Sequence, residues 1–170
     1  KPETNQDVNS LRYYIDDLDV LVNGAYGGLF SPTGMGSFQV CMEFQSDFYY
    51  AEPSLRSAWI TGREGNAYTH SYSNKDYDLQ AQVMQWNNLA INMANTAIES
   101  LNTGMVDNDP KKKTDGDRIM GEAKFIRAFA HWQMAVMLGA QYHSSTLASP
   151  SGIFRDKPIL GLSDIPKGIS

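Results

Sequence analysis

A chain of 170 residues with 42% hydrophobic and 19% charged content lies far from the disordered class and is long enough to bury a core of its own as one domain. Its net charge of -5, from 19 acids and 14 bases, argues against a nucleic-acid partner, which needs a clustered basic face. No apolar run reaches the roughly 18 to 20 residues required to cross a bilayer.

Ser10 stands as an N-cap before Leu11, Tyr14, Ile15, Leu18, Val22, Ala25, Tyr26 and Leu29, which recur at steps of three and four and predict a first helix. Gly24 inside it costs about 1 kcal/mol relative to Ala, which suggests another helix packed close to the backbone there. Gly27 and Gly28 begin its end. Ser31 to Gly36 is a Pro/Gly-rich loop, and Phe38 to Phe44 reads equally as a short helix or a strand. From Asp47 to Asn74 periodicity gives way to Tyr49, Tyr50, Pro53, Trp59, Gly62, Gly65, Tyr68 and Tyr72 among polar residues, and a loop of that length is commonly functional.

The periodic signal returns at Leu79, Val83, Trp86, Ala90, Met93, Ala97 and Leu101, with Asn74 or Asp76 as cap and Gly104 as stop. Lys111 to Lys113, bracketed by Asp107, Asp109, Asp115 and Asp117, reads as a solvated loop. Thr114 and Asp117 resemble a capping box for a third helix, whose stripe of Ile119, Ala123, Ile126, Ala130, Met134 and Met137 runs to Gly139. These two long helices should fold back antiparallel and bury Ala- and Met-rich stripes against each other. The chain then turns polar through Ser144, Ser145, Ser149 and Ser151, continues extended through Lys157-Pro158-Ile159-Leu160, and offers no further helix. Little in Gly161 to Ser170 would cap a core, which is the expectation for a fragment.

Motifs for chemistry are sparse. His70, His131 and His143 are scattered and fit no zinc spacing; His131, within the third helix, reads as a surface or half-buried structural residue. Gly34-Met35-Gly36 lacks the third glycine of a dinucleotide fingerprint and the lysine of a phosphate loop. Cys41, the single cysteine, excludes an internal disulfide, has no basic partner to activate it, and reads as a small buried hydrophobe. Glu43 and Asp47 form the one carboxylate pair to weigh for glycoside hydrolysis, and nothing in the sequence sets them across a cleft. No cofactor is called for. The polar start, Lys1-Pro2-Glu3-Thr4-Asn5, fits either a cytoplasmic protein or a chain that begins after a removed leader. Trp59, Tyr68 and Tyr72, with Arg63 and Asn66 between them, supply flat apolar faces beside hydrogen-bonding groups, the combination that holds a sugar ring or a peptide in water. The competing reading is a loop pinned to the body by its aromatics.

The segment Gly121-Glu122-Ala123-Lys124-Phe125-Ile126-Arg127-Ala128-Phe129, with Gly139 after it, resembles the signature helix of SusD/RagB-like proteins. Leu21-Val22-Asn23-Gly24-Ala25-Tyr26 is similar to that family's first helix, Ala94-Asn95-Thr96-Ala97-Ile98-Glu99 to its A-N-x-x-[IL] helix, and Lys157-Pro158-Ile159-Leu160 to the segment after the signature. Departures are also plain: Met84 and Asn88 stand where a tryptophan and a tyrosine often precede the A-N pair, and Ala140 to Asp156 looks like an insertion.

The resemblance implies an all-α protein of tetratricopeptide-like hairpins with long irregular loops, of which this single domain is the N-terminal portion. It implies a non-enzymatic, lipid-anchored protein on the outer surface of Bacteroidetes-type bacteria, binding a glycan or, in some members, a peptide. The ligand would pass to a SusC-like TonB-dependent transporter, and membrane contact would be made only through a lipid anchor outside this chain. The residues themselves leave two alternatives: a helical-repeat interaction scaffold without a small ligand, and a glycan-cleaving enzyme resting on Glu43 and Asp47.

Overall fold

Helices of this length hold in water by burying one stripe against a neighbour rather than by propensity alone, and the apolar periodicity is realised as a shared core. The computed structural model describes residues 14–30, 37–44, 46, 48, 50, 52, 68–69, 77–103, 110–139, 143–149 and 154–165. Its helices are α1 (Ile15–Leu29), α2 (Ser37–Phe44), α3 (Tyr77–Asn102) and α4 (Pro110–Leu138), followed by a 3-10 turn at Leu162–Asp164. No strand occurs among the described residues, so the fold is all-α.

The most extensive packing is α3 on α4, with α1 laid against both. Side-chain neighbours give the directions. Val83 near the start of α3 packs with Met137 near the end of α4, whereas Asn95 further along α3 bonds to Arg127 earlier in α4, so the two run antiparallel. On α1, Gly24 faces Met93 and Gly28 faces Trp86, so α1 opposes α3. It runs alongside α4, where Arg118 bonds to Asp19.

Leu18, Val22, Ala25 and Leu29 of α1 meet Ala90, Ile91, Ala94, Ala97 and Ile98 of α3 and Ile119, Ala123, Ile126 and Ala130 of α4 in one buried cluster. The alanines admit the close helix approach that larger side chains would prevent. The methionines expected in the stripes sit at the margin of this cluster or beyond it: Met93 and Met134 are only partly buried against it, and Met137 joins a smaller one. A smaller cluster forms where Met42 and Phe44 of α2 close over Val83 and Met137. The segment that read as helix or strand is therefore a helix.

Several boundaries differ from the sequence expectation. α1 starts at Ile15 with an extended Tyr14 as N-cap and no side-chain cap bond; Ser10 and Leu11 lie outside the described residues. Tyr14, placed in the stripe by periodicity, is 69% exposed because a cap residue precedes the helical register. Asp16 and Asp17 in the first turn offset the missing cap by facing the positive end of the helix dipole.

α4 begins at Pro110, not near Thr114, so Lys111 to Lys113 are helical rather than loop. Proline suits the first helical position, where its missing N–H is one that the helix would leave unpaired. Gly24 needs no close backbone neighbour, since a Cβ there would meet only the Met93 sulfur at 3.8 Å, an ordinary contact. Gly139 does end α4, its N–H donating to the Ala135 carbonyl at 3.0 Å. Gly104 and the proposed caps of α3, Asn74 and Asp76, lie outside the described residues.

Candidate functional site

Trp59, Arg63, Asn66 and Tyr72 lie outside the described residues, and Tyr68 is half-buried in a helical position. The described structure therefore brings none of the five together. Asp47 is also outside it, while Glu43 is exposed on α2. Cys41 falls within α2. Among the described residues no group of three or more His, Cys, Asp and Glu side chains is placed to hold a metal ion.

The most densely bonded polar region is where residues 154–160 cross the α3–α4 hairpin. The strap bends at Lys157, and the buried Pro158 after it has no N–H needing a partner. Backbone groups of Arg155, Asp156, Lys157, Ile159 and Leu160 are bonded by side chains, in place of a neighbouring strand.

Asn92 spans Ile159: its Oδ1 accepts the Ile159 N–H at 2.6 Å and its Nδ2 donates to the Ile159 carbonyl at 3.4 Å. Asn95, buried, donates from Nδ2 to the carbonyls of Arg155 (3.2 Å) and Lys157 (3.1 Å). Its Oδ1 accepts from Arg127 Nη1 at 3.2 Å, and the same Nη1 reaches the Asp156 carbonyl at 3.5 Å. Arg155 points back to α3, donating from Nη1 to Asn88 Oδ1 at 2.8 Å and from Nη2 to Asn92 Oδ1 at 3.1 Å. Asn88, Asn92 and Asn95 stand at i, i+4 and i+7, so one helix face presents all three amides. Asp164 Oδ2 then accepts the N–H groups of Leu160 and Gly161, both at 3.0 Å, and turns the chain into the 3-10 segment.

His131, one turn beyond Arg127, completes the clamp. Its Nε2 lies 3.1 Å from the Arg155 carbonyl and 3.3 Å from the Arg155 nitrogen, and its ring stacks on Phe154 with centroids 4.8 Å apart. Burial pushes its pKa below the ordinary histidine value; the contact with the Arg155 backbone opposes that shift, and the charges of Arg127 and Arg155 add to it. Burial likewise lowers the Arg155 pKa, and its buried Nε has no hydrogen-bond partner among the described residues. The half-buried structural role expected of His131 is what it has.

The asparagines of α3 bind the strap, and Arg155, placed by sequence within an apparent insertion, is a principal tie of it. The missed signal was the helical spacing of Asn88, Asn92 and Asn95 on one face of α3, ahead of an Arg-Asp-Lys-Pro segment.

On the outer side of α4, Phe125, Phe129 and Trp132 stack in series with centroids 5.7 and 5.5 Å apart, and Phe125 and Trp132 remain more than half exposed. Elsewhere Arg118 ties α1 to α4, donating to Asp19 at 2.7 Å and to Glu122 at 2.9 Å.

Antiparallel helices around an alanine seam, with an extended strap read by side-chain amides, define the class: an all-α scaffold whose binding surfaces lie on faces and loops. Residues 15–163 match the model of a SusD-like family described as starch-binding and associating with the outer membrane, and the chain belongs to that family. No curated protein and no solved structure gives a significant match. The family is one of binding proteins associated with the outer membrane, with carbohydrate as the ligand class. No helix among the described residues is long and apolar enough to cross a membrane.

Proposed function

We propose that this chain is the N-terminal portion of a cell-surface glycan-binding protein that captures polysaccharide or oligosaccharide and delivers it to a SusC-like TonB-dependent transporter. The observation that carries the reading is the family match across residues 15–163, which spans all four helices and the strap. In this reading the protein is not an enzyme, needs no cofactor, and is held at the outer membrane by a lipid anchor outside this chain. The hairpin serves as a rigid support.

Ligand contact within this segment falls to the long loop, where Trp59, Tyr68 and Tyr72 offer stacking faces and Arg63 and Asn66 offer hydrogen bonds to hydroxyls. Affinity electrophoresis through soluble starch, followed by calorimetric titration with malto-oligosaccharides, tests the binding. Retardation in starch is the expected result. Replacing Trp59 and Tyr72 together by Ala should weaken binding by roughly 1 to 3 kcal/mol, the range known for base–aromatic stacking, with helical content unchanged. Lowered stability with unaltered affinity would make these aromatics structural pins. Delivery is tested separately, by co-purification of a TonB-dependent transporter with the tagged protein from solubilised outer membranes; recovery without any transporter would refute it.

A further inference from the structure

We propose that His131 is a proton-operated latch: neutral, it seats the 154–160 strap on the α3–α4 hairpin, and on protonation it releases that strap. Its Nε2 lies between the N–H and the carbonyl of a single residue, Arg155, at 3.3 and 3.1 Å. In the tautomer that carries its proton on Nδ1, the neutral ring accepts the Arg155 N–H at Nε2. A protonated Nε2 has no lone pair to offer, so two N–H groups then face each other, and the only acceptor left to it is a carbonyl already bonded by Asn95 Nδ2 at 3.2 Å. Protonation thus removes the partner of one backbone donor, and the bond it offers the Arg155 carbonyl in return favours the charged ring without offsetting its burial.

The surrounding charges act in the same direction. From its own helix His131 faces Arg127, and from the strap it faces Arg155, both of which disfavour a second positive charge. α3 presents only neutral amides here, those of Asn88, Asn92 and Asn95. Among the described residues neither guanidinium is paired with a carboxylate: Arg127 bonds to Asn95 and the Asp156 carbonyl, and Arg155 to Asn88 and Asn92. The Asp156 and Lys157 side chains are exposed. Phe154, stacked on the imidazole, would favour a cation, but its ring is 69% exposed and water weakens that attraction relative to burial beside two guanidinium groups.

The strap is seated through connected bonds, so loosening Arg155 reaches further. The Arg155 guanidinium shares Asn92 Oδ1 with the Ile159 N–H, and Asn95 bridges the Arg155 and Lys157 carbonyls. The seated form holds His131 below its ordinary pKa of about 6.5, whereas the released form returns it toward that value. The released state therefore binds more protons at mildly acidic pH. Seating is complete above about pH 6.5 and is lost as pH falls through the lowered pKa.

The test is amide hydrogen exchange on the intact chain at pH 7.5 and 5.5, with rates corrected for the intrinsic effect of pH. Protection of Arg155 and Ile159 should fall at the lower pH, because the released form takes up the proton more readily than the seated one. In His131→Gln, whose amide can accept the Arg155 N–H and donate to its carbonyl at any pH, protection should stay level. His70 and His143 are untouched in that variant, so it isolates the imidazole. Equal protection of the native chain at both pH values, or an equal fall in the variant, would overturn the latch. Should the variant fold poorly, a proton NMR titration of the native chain decides: the His131 ring and the Ile159 amide must shift with one midpoint below about 6.5, and separate midpoints refute the coupling.

Discussion

Asn95 shows how one side chain sets the position of a distant segment. It spends both amide protons on the strap and its oxygen on Arg127, in a position 1% exposed where water cannot replace any of the three bonds. Asn95→Ala should therefore destabilise the chain by about 2 to 4 kcal/mol, since each lost bond is worth about 1 and the stranded carbonyls and guanidinium add their desolvation. Urea unfolding measures it, and a loss under 1 kcal/mol would mean that the strap contributes little to the cooperative unit. Gly121 makes the opposite case. A Cβ at this mid-helix position meets nothing within 4 Å, so Gly121→Ala should stabilise by about 0.5 to 1 kcal/mol through lower chain entropy in the unfolded state. A decrease in the unfolding midpoint would show instead that the open space there is needed.

The helix α4 carries two faces with different fates. One is its buried stripe of Ile119, Ala123, Ile126 and Ala130; the other is the aromatic series in which Phe125 and Trp132 are exposed and Phe129 between them still packs against the core. Ala130 is fully buried against α3, with no room for an added ring, so Ala130→Trp should cost at least about 1 to 3 kcal/mol by overpacking. An unchanged melting temperature would refute that burial. Phe125→Ala, on the outer face, should alter stability far less than Ile126→Ala, although the two are neighbours in sequence, because Phe125 already leaves more than half of its surface in water. Comparing their urea midpoints checks the orientation of the whole helix.

Across the whole molecule, the hairpin, α1 and the strap form one bonded body, and this supports a single cooperative unfolding transition for the described part. Circular dichroism should be helix-dominated, with negative bands at 208 and 222 nm that disappear together with the near-ultraviolet signal of Trp86, which packs at Gly28. A far-ultraviolet signal that outlasts the near-ultraviolet one would indicate independent units. Binding belongs to this scale too. A rigid helical body presents loops without moving, so starch binding, where measured, should survive Gly121→Ala unaltered.

The helical class, the antiparallel pairing and most of the core were legible in the sequence because amphipathic periodicity is a local property: Val22, Ala90, Ala97, Ala123 and Ala130 all lie where a 3.6-residue repeat puts them. Family membership was legible for the same reason, since its motifs sit on those helices. The strap was not. Asn88, Asn92 and Asn95 look like surface residues until a segment some sixty positions away is laid across them, and neither propensity nor spacing encodes that meeting. Helix starts were likewise not set by the expected caps: α1 begins at Ile15 without a side-chain cap bond, and α4 at Pro110, whose fitness for a first turn outweighed the local appeal of Thr114. What residue type and period dictate could be read along the chain; which polar groups find one another, and so which histidine stands between a donor and an acceptor, was decided only when the chain closed on itself.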